Sequence, residues 1–222
     1  MKIPFLSKIK IFWFHSAAKI LGFHLNYVEY WNERYNAGFT SGKGSYADLA
    51  MFKADTINNF VKKNLIETVI EFGCGDGNQL KLMQYNKYLG LDVAYSAIEK
   101  CRDIFINDTS KSFILYNPKV FVNKGFFRAD MVICLDVLYH IIPEDDYLKT
   151  LDDIFSCSAN YVILYTDIDE YEKTPYKEGS HVFHRNTLKY LKNYPDFSLV
   201  DILQNKFPDI SWASFIILKR IS

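Results

Sequence analysis

An excess of charge of either sign is what this chain most plainly lacks. Lys and Arg number 26 and Asp and Glu number 26, so the net charge is zero with His neutral. A nucleic-acid partner gripped by a basic face is therefore not expected. Cysteine is scarce too. Cys74, Cys101, Cys134 and Cys157 stand far apart with no CxxC pair, which argues against a disulfide or zinc framework and for buried thiols in a reducing compartment. No run of about 18 uninterrupted apolar residues occurs, so no spanning helix is expected. No internal repeat, low-complexity tract or interdomain linker interrupts the 222 residues. What is abundant is core material: 49% apolar and 17% aromatic, enough for one sizeable core.

The first 25 residues alternate Lys2, Lys8, Lys10 and Lys19 with Ile3, Phe5, Leu6, Ile9, Ile11, Phe12, Trp13 and Phe14. The apolar run is short, contains His15 and lacks an A-x-A site, which speaks against a signal peptide. A helical extension packed on the domain or on a second subunit is the reading adopted. Peripheral membrane contact through residues 1–25 is the alternative.

One stretch organises the rest. Thr68, Val69 and Ile70 open a β-branched run that leads into Glu71-Phe72-Gly73-Cys74-Gly75-Asp76-Gly77. Strand, glycine turn and helix are the layout of a nucleotide-binding βα unit. Glycine allows unusual φ/ψ, permits close backbone approach, and is expected to leave amide N–H groups facing a ligand. The spacing is GxGxG, neither GxGxxG nor the phosphate loop GxxxxGK[ST]. Nineteen residues past Gly73, the run Tyr88-Leu89-Gly90-Leu91-Asp92-Val93 ends in a carboxylate. A carboxylate there can accept both hydroxyls of a ribose. Loop and acid together read as a site for an adenosine-bearing cofactor; a cofactor-free α/β domain with a Gly-rich turn is the plainer alternative.

These two motifs, followed by Asp130-Met131-Val132-Ile133-Cys134-Leu135-Asp136-Val137-Leu138-Tyr139-His140, resemble class I S-adenosylmethionine-dependent methyltransferases. The resemblance implies a Rossmann-like α/β fold. Its seven-stranded, mostly parallel sheet has helices on both faces and an antiparallel C-terminal strand. The implied cofactor is S-adenosylmethionine, leaving as S-adenosylhomocysteine. Gly73, Cys74, Gly75 and Gly77 would allow its close approach, and Glu71 would hold its amino group or make a structural bond. Asp92 with Val93 would bind the ribose, and Asp136 with Val137 would lie near the methionine moiety. Such enzymes often hold adenine with an acid just after the third strand. None stands there, and Asp108 is the nearest in sequence.

Along the chain, residues 25–37 read as helix, and Gly38 to Tyr46 is a loop of three glycines and three hydroxyls. Ser45 is a candidate N-cap for a helix from Tyr46 to Lys63. The series Trp31, Arg34-Tyr35, Gly38, Ser41-Gly42, Gly44-Ser45-Tyr46, Leu49-Ala50 and Lys53 resembles the lead-in of a bacterial methyltransferase subgroup associated with surface-polysaccharide (capsule) loci. It implies that Arg34, Tyr35, Gly42 and Ser45 close over the methionine end of the cofactor. Residues 1–64 are thus expected to be a helical lead-in and lid, and residues 65–222 the cofactor-binding core of one compact domain.

Downstream, short helices are expected at residues 79–84 and 94–105, strands at 87–92, 113–116, 129–135 and 161–165, and a helix beginning at Pro143. Residues 169–179 are polar and turn-like, and a helix over Leu188, Leu191 and Tyr194 precedes two closing strands. The subgroup carries a stretch similar to His181-Val182-Phe183-His184-Arg185. That implies His181, His184 and Arg185 help form the acceptor site. A polar helix start is the structural alternative.

For a hydroxyl acceptor a general base helps, and His suits neutral pH. His140 is the first choice by position, His181 and His184 are alternatives, and Tyr139 is a candidate substrate contact. Asp136, His140 and Asp167 have no compact ligand spacing, so no metal is expected. The acceptor implied is a small molecule or a carbohydrate- or phosphate-linked glycan precursor, with the protein cytoplasmic, or at the inner face of the membrane if residues 1–25 touch it. A non-catalytic cofactor-binding partner subunit and an N-methyltransferase of a small amine or protein are the alternatives.

Overall fold

The structure, a computed structural model, describes residues 26–168 and 181–221. The expectations for residues 1–25 and 169–179 lie outside the described residues. Seven strands form one sheet: β1 (Thr68–Phe72), β2 (Lys87–Asp92), β3 (Lys111–Leu115), β4 (Ala129–Leu135), β5 (Ser158–Thr166), β6 (Phe197–Leu203) and β7 (Ser214–Arg220). The order across the sheet is β3-β2-β1-β4-β5-β7-β6. β1 to β5 pair in parallel, and β7 runs antiparallel between β5 and β6. The expected Rossmann-like sheet is present, with an antiparallel hairpin at one edge. Chain order reverses between β1 and β4, and ligands of open α/β sheets sit at such a point, outside the carboxyl ends of the strands.

Helices α1 (Tyr27–Asn36), α2 (Ala47–Asn64), α3 (Tyr95–Ile104) and α4 (Glu144–Cys157) flank it. α2 and α3 bury Leu49, Ile57 and Cys101 against one face, while α4 buries Tyr147, Leu151 and Ile154 against the other. Glu144, Asp145 and Asp146 in the first turn of α4 suit its dipole.

Local expectations shifted in three places. Ser45 is no N-cap: it ends a 3₁₀ turn, Lys43–Ser45, and extended Tyr46 takes the cap position of α2 without a side-chain bond. The helix after the glycine loop is one 3₁₀ turn, Leu80–Leu82. The chain has ten steps from Gly77 to Lys87 to return along β1. Within it, residues 78–82 are turn and 3₁₀ and residues 83–86 are irregular, so no α-helix forms. The helix over Leu188 and Leu191 is likewise a 3₁₀ segment, Thr187–Asn193, capped by Asn186.

Candidate functional site

A cleft of about 820 Å³, open to solvent, sits at the carboxyl ends of β1, β2 and β4. Of the sequence-predicted residues, Gly73, Cys74 and Gly75 line it with Glu71. So do Asp92, Val93, Asp136, Val137 and His140, and from the lead-in Tyr35 and Ser45. Arg34, Gly42, Gly77, Tyr139, His181, His184 and Arg185 do not line it.

The glycine loop is built for close approach. Gly73 has φ +86°, and a Cβ there would fall 2.2 Å from Val137 Cγ2. Gly75 has φ +57°, and its Cβ would meet Ser41 Oγ at 2.5 Å. The expectation of free amides does not hold. Gly73 and Cys74 N–H both donate to the Leu91 carbonyl, at 2.7 and 3.0 Å, and Gly77 N–H to that of Cys74 at 3.3 Å. Gly75 N–H donates to Asp92 Oδ2 at 2.9 Å, and Asp76 N–H to Ser41 Oγ at 3.0 Å. Leu91, Asp92 and Ser41 take four of these five donors, so the loop offers a ligand shape rather than amides.

Asp92 also accepts from Ala94 N–H through Oδ1 at 2.8 Å. A carboxylate has about four acceptor sites, so Asp92 keeps acceptor capacity beyond its bonds to the Gly75, Ala94 and Val93 amides. Burial pushes its pKa up to about 6 against the pull of those backbone bonds. Glu71 is buried beneath the loop and accepts the Tyr88 hydroxyl at 2.5 Å. Burial raises it to about 7, with Tyr88 and Lys53 opposing. Of its two expected roles, the structural bond is present.

The lid expectation meets a different set of side chains. Asp76, overlooked in the sequence, binds the lead-in loop. Its Oδ2 accepts from Ser41 N–H at 2.9 Å and the Tyr46 hydroxyl at 2.8 Å. Tyr35 Oη lies 3.0 Å from Ser41 Oγ. The Arg34 Nε donates to the Thr40 carbonyl at 2.7 Å, and the guanidinium lies over Trp31 and Phe39, so it braces the loop from outside the cleft. Gly42 contributes its left-handed φ of +100° to the same loop.

Asp136, like Asp92, accepts one bond on each oxygen, but from side chains rather than backbone amides. Lys53, fully buried on α2, forms an ion pair with Oδ2, and the Tyr139 hydroxyl donates to Oδ1 at 2.7 Å. Gly44 allows this, because a Cβ there would lie 2.6 Å from Asp136 Oδ2. Lys53, Gly44 and Asp76 carried no spacing signal of their own. Their roles arise from segments about 30 to 90 residues apart in the chain meeting in space.

The histidines separate. The half-buried His140 lines the cleft, edge-on to Trp31. Its Nδ1 lies 2.9 Å from the His181 carbonyl. A carbonyl only accepts, so Nδ1 carries the proton and Nε2 of the neutral ring is a base. Burial lowers its pKa to about 4, so the ring is neutral near pH 7. His181 stacks between His140 and Tyr30. His184 Nδ1 sits 2.6 Å from the buried Asp167 carboxylate. Arg185 donates to the Ile141 and Ile142 carbonyls at 2.7 and 2.5 Å and lies over Tyr147 and Phe183. Arg185 and the two later histidines thus stand outside the cleft lining, where Arg185 braces the turn after β4, His184 meets Asp167 just past β5, and the His181 carbonyl accepts from His140.

Asp108 stands before β3, at the amino end of the sheet, and binds Ser110 and Lys111. It is far from the strand ends that form the cleft. After β3 the cleft is lined instead by Tyr116, whose hydroxyl donates to Asp153 at 2.8 Å. Among the described residues, no three His, Cys, Asp or Glu side chains gather to hold a metal ion.

A family model described as a methyltransferase domain matches residues 46–205. The chain belongs to the methyltransferase-domain family. No curated protein matches. Among solved structures, this methyltransferase resembles the methyltransferase domain of bacterial CtHen1-C, at 20% identity and TM-score 0.62, over 79% of this chain and 100% of that one. It resembles magnesium protoporphyrin IX methyltransferase from Synechocystis PCC 6803 with bound SAM, at 15% and 0.62, over 90% and 99%. It also resembles the N-methyltransferase NodS from Bradyrhizobium japonicum in complex with S-adenosyl-L-homocysteine, at 13% and 0.60, over 78% and 86%. At these identities the likeness establishes the fold, which is that of S-adenosylmethionine-dependent methyltransferases.

The cleft suits that cofactor on its own terms. Glycine at 73 and 75 lets Val137 and Ser41 pack against the loop that lines the cleft, and Asp92 keeps acceptor capacity for a ribose hydroxyl. Gln79 Oε1 is buried at the cleft with no hydrogen-bond partner, an acceptor that suits an ammonium. Phe72, Val93, Tyr116 and Ile141 supply apolar lining for a base.

Proposed function

We propose that this methyltransferase O-methylates a small or carbohydrate- or phosphate-linked acceptor in surface-glycan (capsule) assembly. The observation that carries the O-methylation reading is His140: a neutral ring at the cleft whose Nδ1 is committed to a carbonyl, leaving Nε2 to take a hydroxyl proton. The glycan assignment rests on the resemblance of the lead-in and of the His181–Arg185 stretch. When bound, S-adenosylmethionine supplies an activated methyl on a sulfonium. Asp92 would accept from its ribose hydroxyls, and Gln79 and the Lys53–Asp136 pair would hold its amino-acid end. The loop of residues 38–46, fastened by Asp76, excludes water. Residues 1–64 act as lead-in and lid on the core of residues 65–222.

N-methylation of a small amine is the second reading. Trp31, Tyr35 and Tyr27 line the cleft, and aromatic faces attract cations. The sulfonium is itself a cation, so this wall serves both readings.

Calorimetric titration with S-adenosylmethionine and S-adenosylhomocysteine, wild type against Asp92→Ala, tests the cofactor. Micromolar binding weakened in the variant supports it; no binding by folded protein leaves a non-catalytic partner subunit. Mass spectrometry after incubation with nucleotide sugars, phosphate-linked glycan fragments and small amines then reads the acceptor. Methyl gain on amines alone would replace the glycan reading.

A further inference from the structure

Among the described residues, one part of the sheet lacks the cover its neighbours have. On the face that α4 occupies, the helix packs on β4 and β5. The connection from β3 to β4 contains no helix, although parallel crossovers usually do. The register places Ile70, Leu89 and Ser112 side by side on this face, Thr68 beside Lys87, and Leu91 beside Ile114. The result is an open groove whose lining includes Ile114, Phe126, Lys87 and Arg128 and no carboxylate.

The loop along the groove is well braced yet exposes apolar side chains. Asn123 Oδ1 accepts from Gly125 and Phe127 N–H at 3.0 and 3.1 Å, and its Nδ2 donates to the Phe127 carbonyl at 2.8 Å. Val120, Val122 and Phe126 are nevertheless 74%, 67% and 89% exposed. In a chain of balanced charge, residues 109–129 hold no acid and four bases: Lys111, Lys119, Lys124 and Arg128. Lys111 pairs with Asp108. The other three are exposed, and none is in an ion pair among the described residues.

We propose that this groove and loop dock the protein on an anionic membrane surface. Exposed Phe and Val side chains enter the headgroup boundary while the cations meet lipid phosphates. Other occupants match less well. A second copy across a two-fold axis would set these cations against themselves. Residues 1–25 carry Lys2, Lys8, Lys10 and Lys19 and no acid, so they repel the groove rather than complement it. The proposal is independent of the acceptor's identity.

The test is flotation of the full chain with vesicles of phosphatidylcholine plus phosphatidylglycerol, and of phosphatidylcholine alone. Two double variants accompany it: Val122→Ser with Phe126→Ser, and Lys124→Glu with Arg128→Glu. Wild type binds the anionic vesicles selectively, and each pair weakens binding roughly tenfold or more. Melting temperature and S-adenosylhomocysteine affinity stay unchanged, because none of the four side chains lines the cleft. Absence of wild-type binding overturns the proposal. Binding unchanged in either pair overturns it as well, and would move the contact to residues 1–25. A wild-type dimer that the Val122/Phe126 pair converts to monomer, without vesicle binding, would make the partner a second copy.

Discussion

The glycine loop at residues 73–77 and the histidine stretch at residues 181–185 are both dense in residues that do chemistry, yet the structure uses them differently. The loop's amides are taken by Leu91, Asp92, Ser41 and Cys74, and its glycines let Val137 and Ser41 pack against it. The histidine stretch has its polar atoms engaged away from the cleft: His184 on Asp167, Arg185 on two carbonyls, and the His181 carbonyl on His140. A motif whose function is backbone shape keeps it wherever the strand carries it. A motif of long side chains takes whatever partners the tertiary structure supplies. On this comparison, the loop and His140 carry function and the stretch carries position.

The sharpest test is His140→Ala. Loss of the base lowers kcat by about 10²- to 10⁴-fold with cofactor affinity retained, as single-turnover assays would show. If His184→Ala has the larger effect on kcat, the division between the two regions is wrong. Arg185→Met comes next. It leaves the Ile141 and Ile142 carbonyls without their donors, a loss of about 3 kcal/mol in urea unfolding. In folded protein the cofactor Kd stays unchanged. Asp92→Asn should do the reverse, weakening cofactor binding about tenfold by calorimetry with a small change in stability.

The smallest effect comes from Glu71. Its folded pKa of about 7 lies above the ordinary 4.5, so the folded state binds more protons than the unfolded one between these values. The Glu71 contribution to stability is full below about pH 4.5 and is lost as pH rises through 7. Glu71→Gln keeps an acceptor for Tyr88 and removes the titration. Relative to wild type, the variant gains about 1 kcal/mol between about pH 6 and 8, read from unfolding midpoints. A gain that shrinks with pH would reverse the sign. His140 acts oppositely. Its folded pKa near 4 lies below the ordinary 6.5, so its contribution falls as pH drops through that window.

The legible parts of the sequence were those where local chemistry has one outcome. Apolar runs gave strands at Lys87–Asp92 and Ala129–Leu135 with the bounds expected. The glycine loop and Asp92 fell at adjacent strand ends because parallel strands bring their carboxyl ends to one edge. Ser45 as N-cap failed because the loop bends into a 3₁₀ turn one residue before the helix, with the Ser45 carbonyl accepting from Asn78 Nδ2. The bonds of Arg185 to the Ile141 and Ile142 carbonyls left no mark in the sequence, because a guanidinium is drawn to buried carbonyls that only the folded chain brings near it.

The sequence by itself determined the class of fold, the cofactor loop and the family resemblance. These depend on period, on glycine at positions that need left-handed φ, and on order along the chain. Only the tertiary structure decided which carboxylate is held by backbone amides and which by a buried lysine, and which histidine faces the cleft. It also showed that, among the described residues, no helix covers β1, β2 and β3 on one face. Those outcomes depend on partners dozens of residues away. Burial and hydrogen bonding, which set them, exist only after the chain has closed on itself.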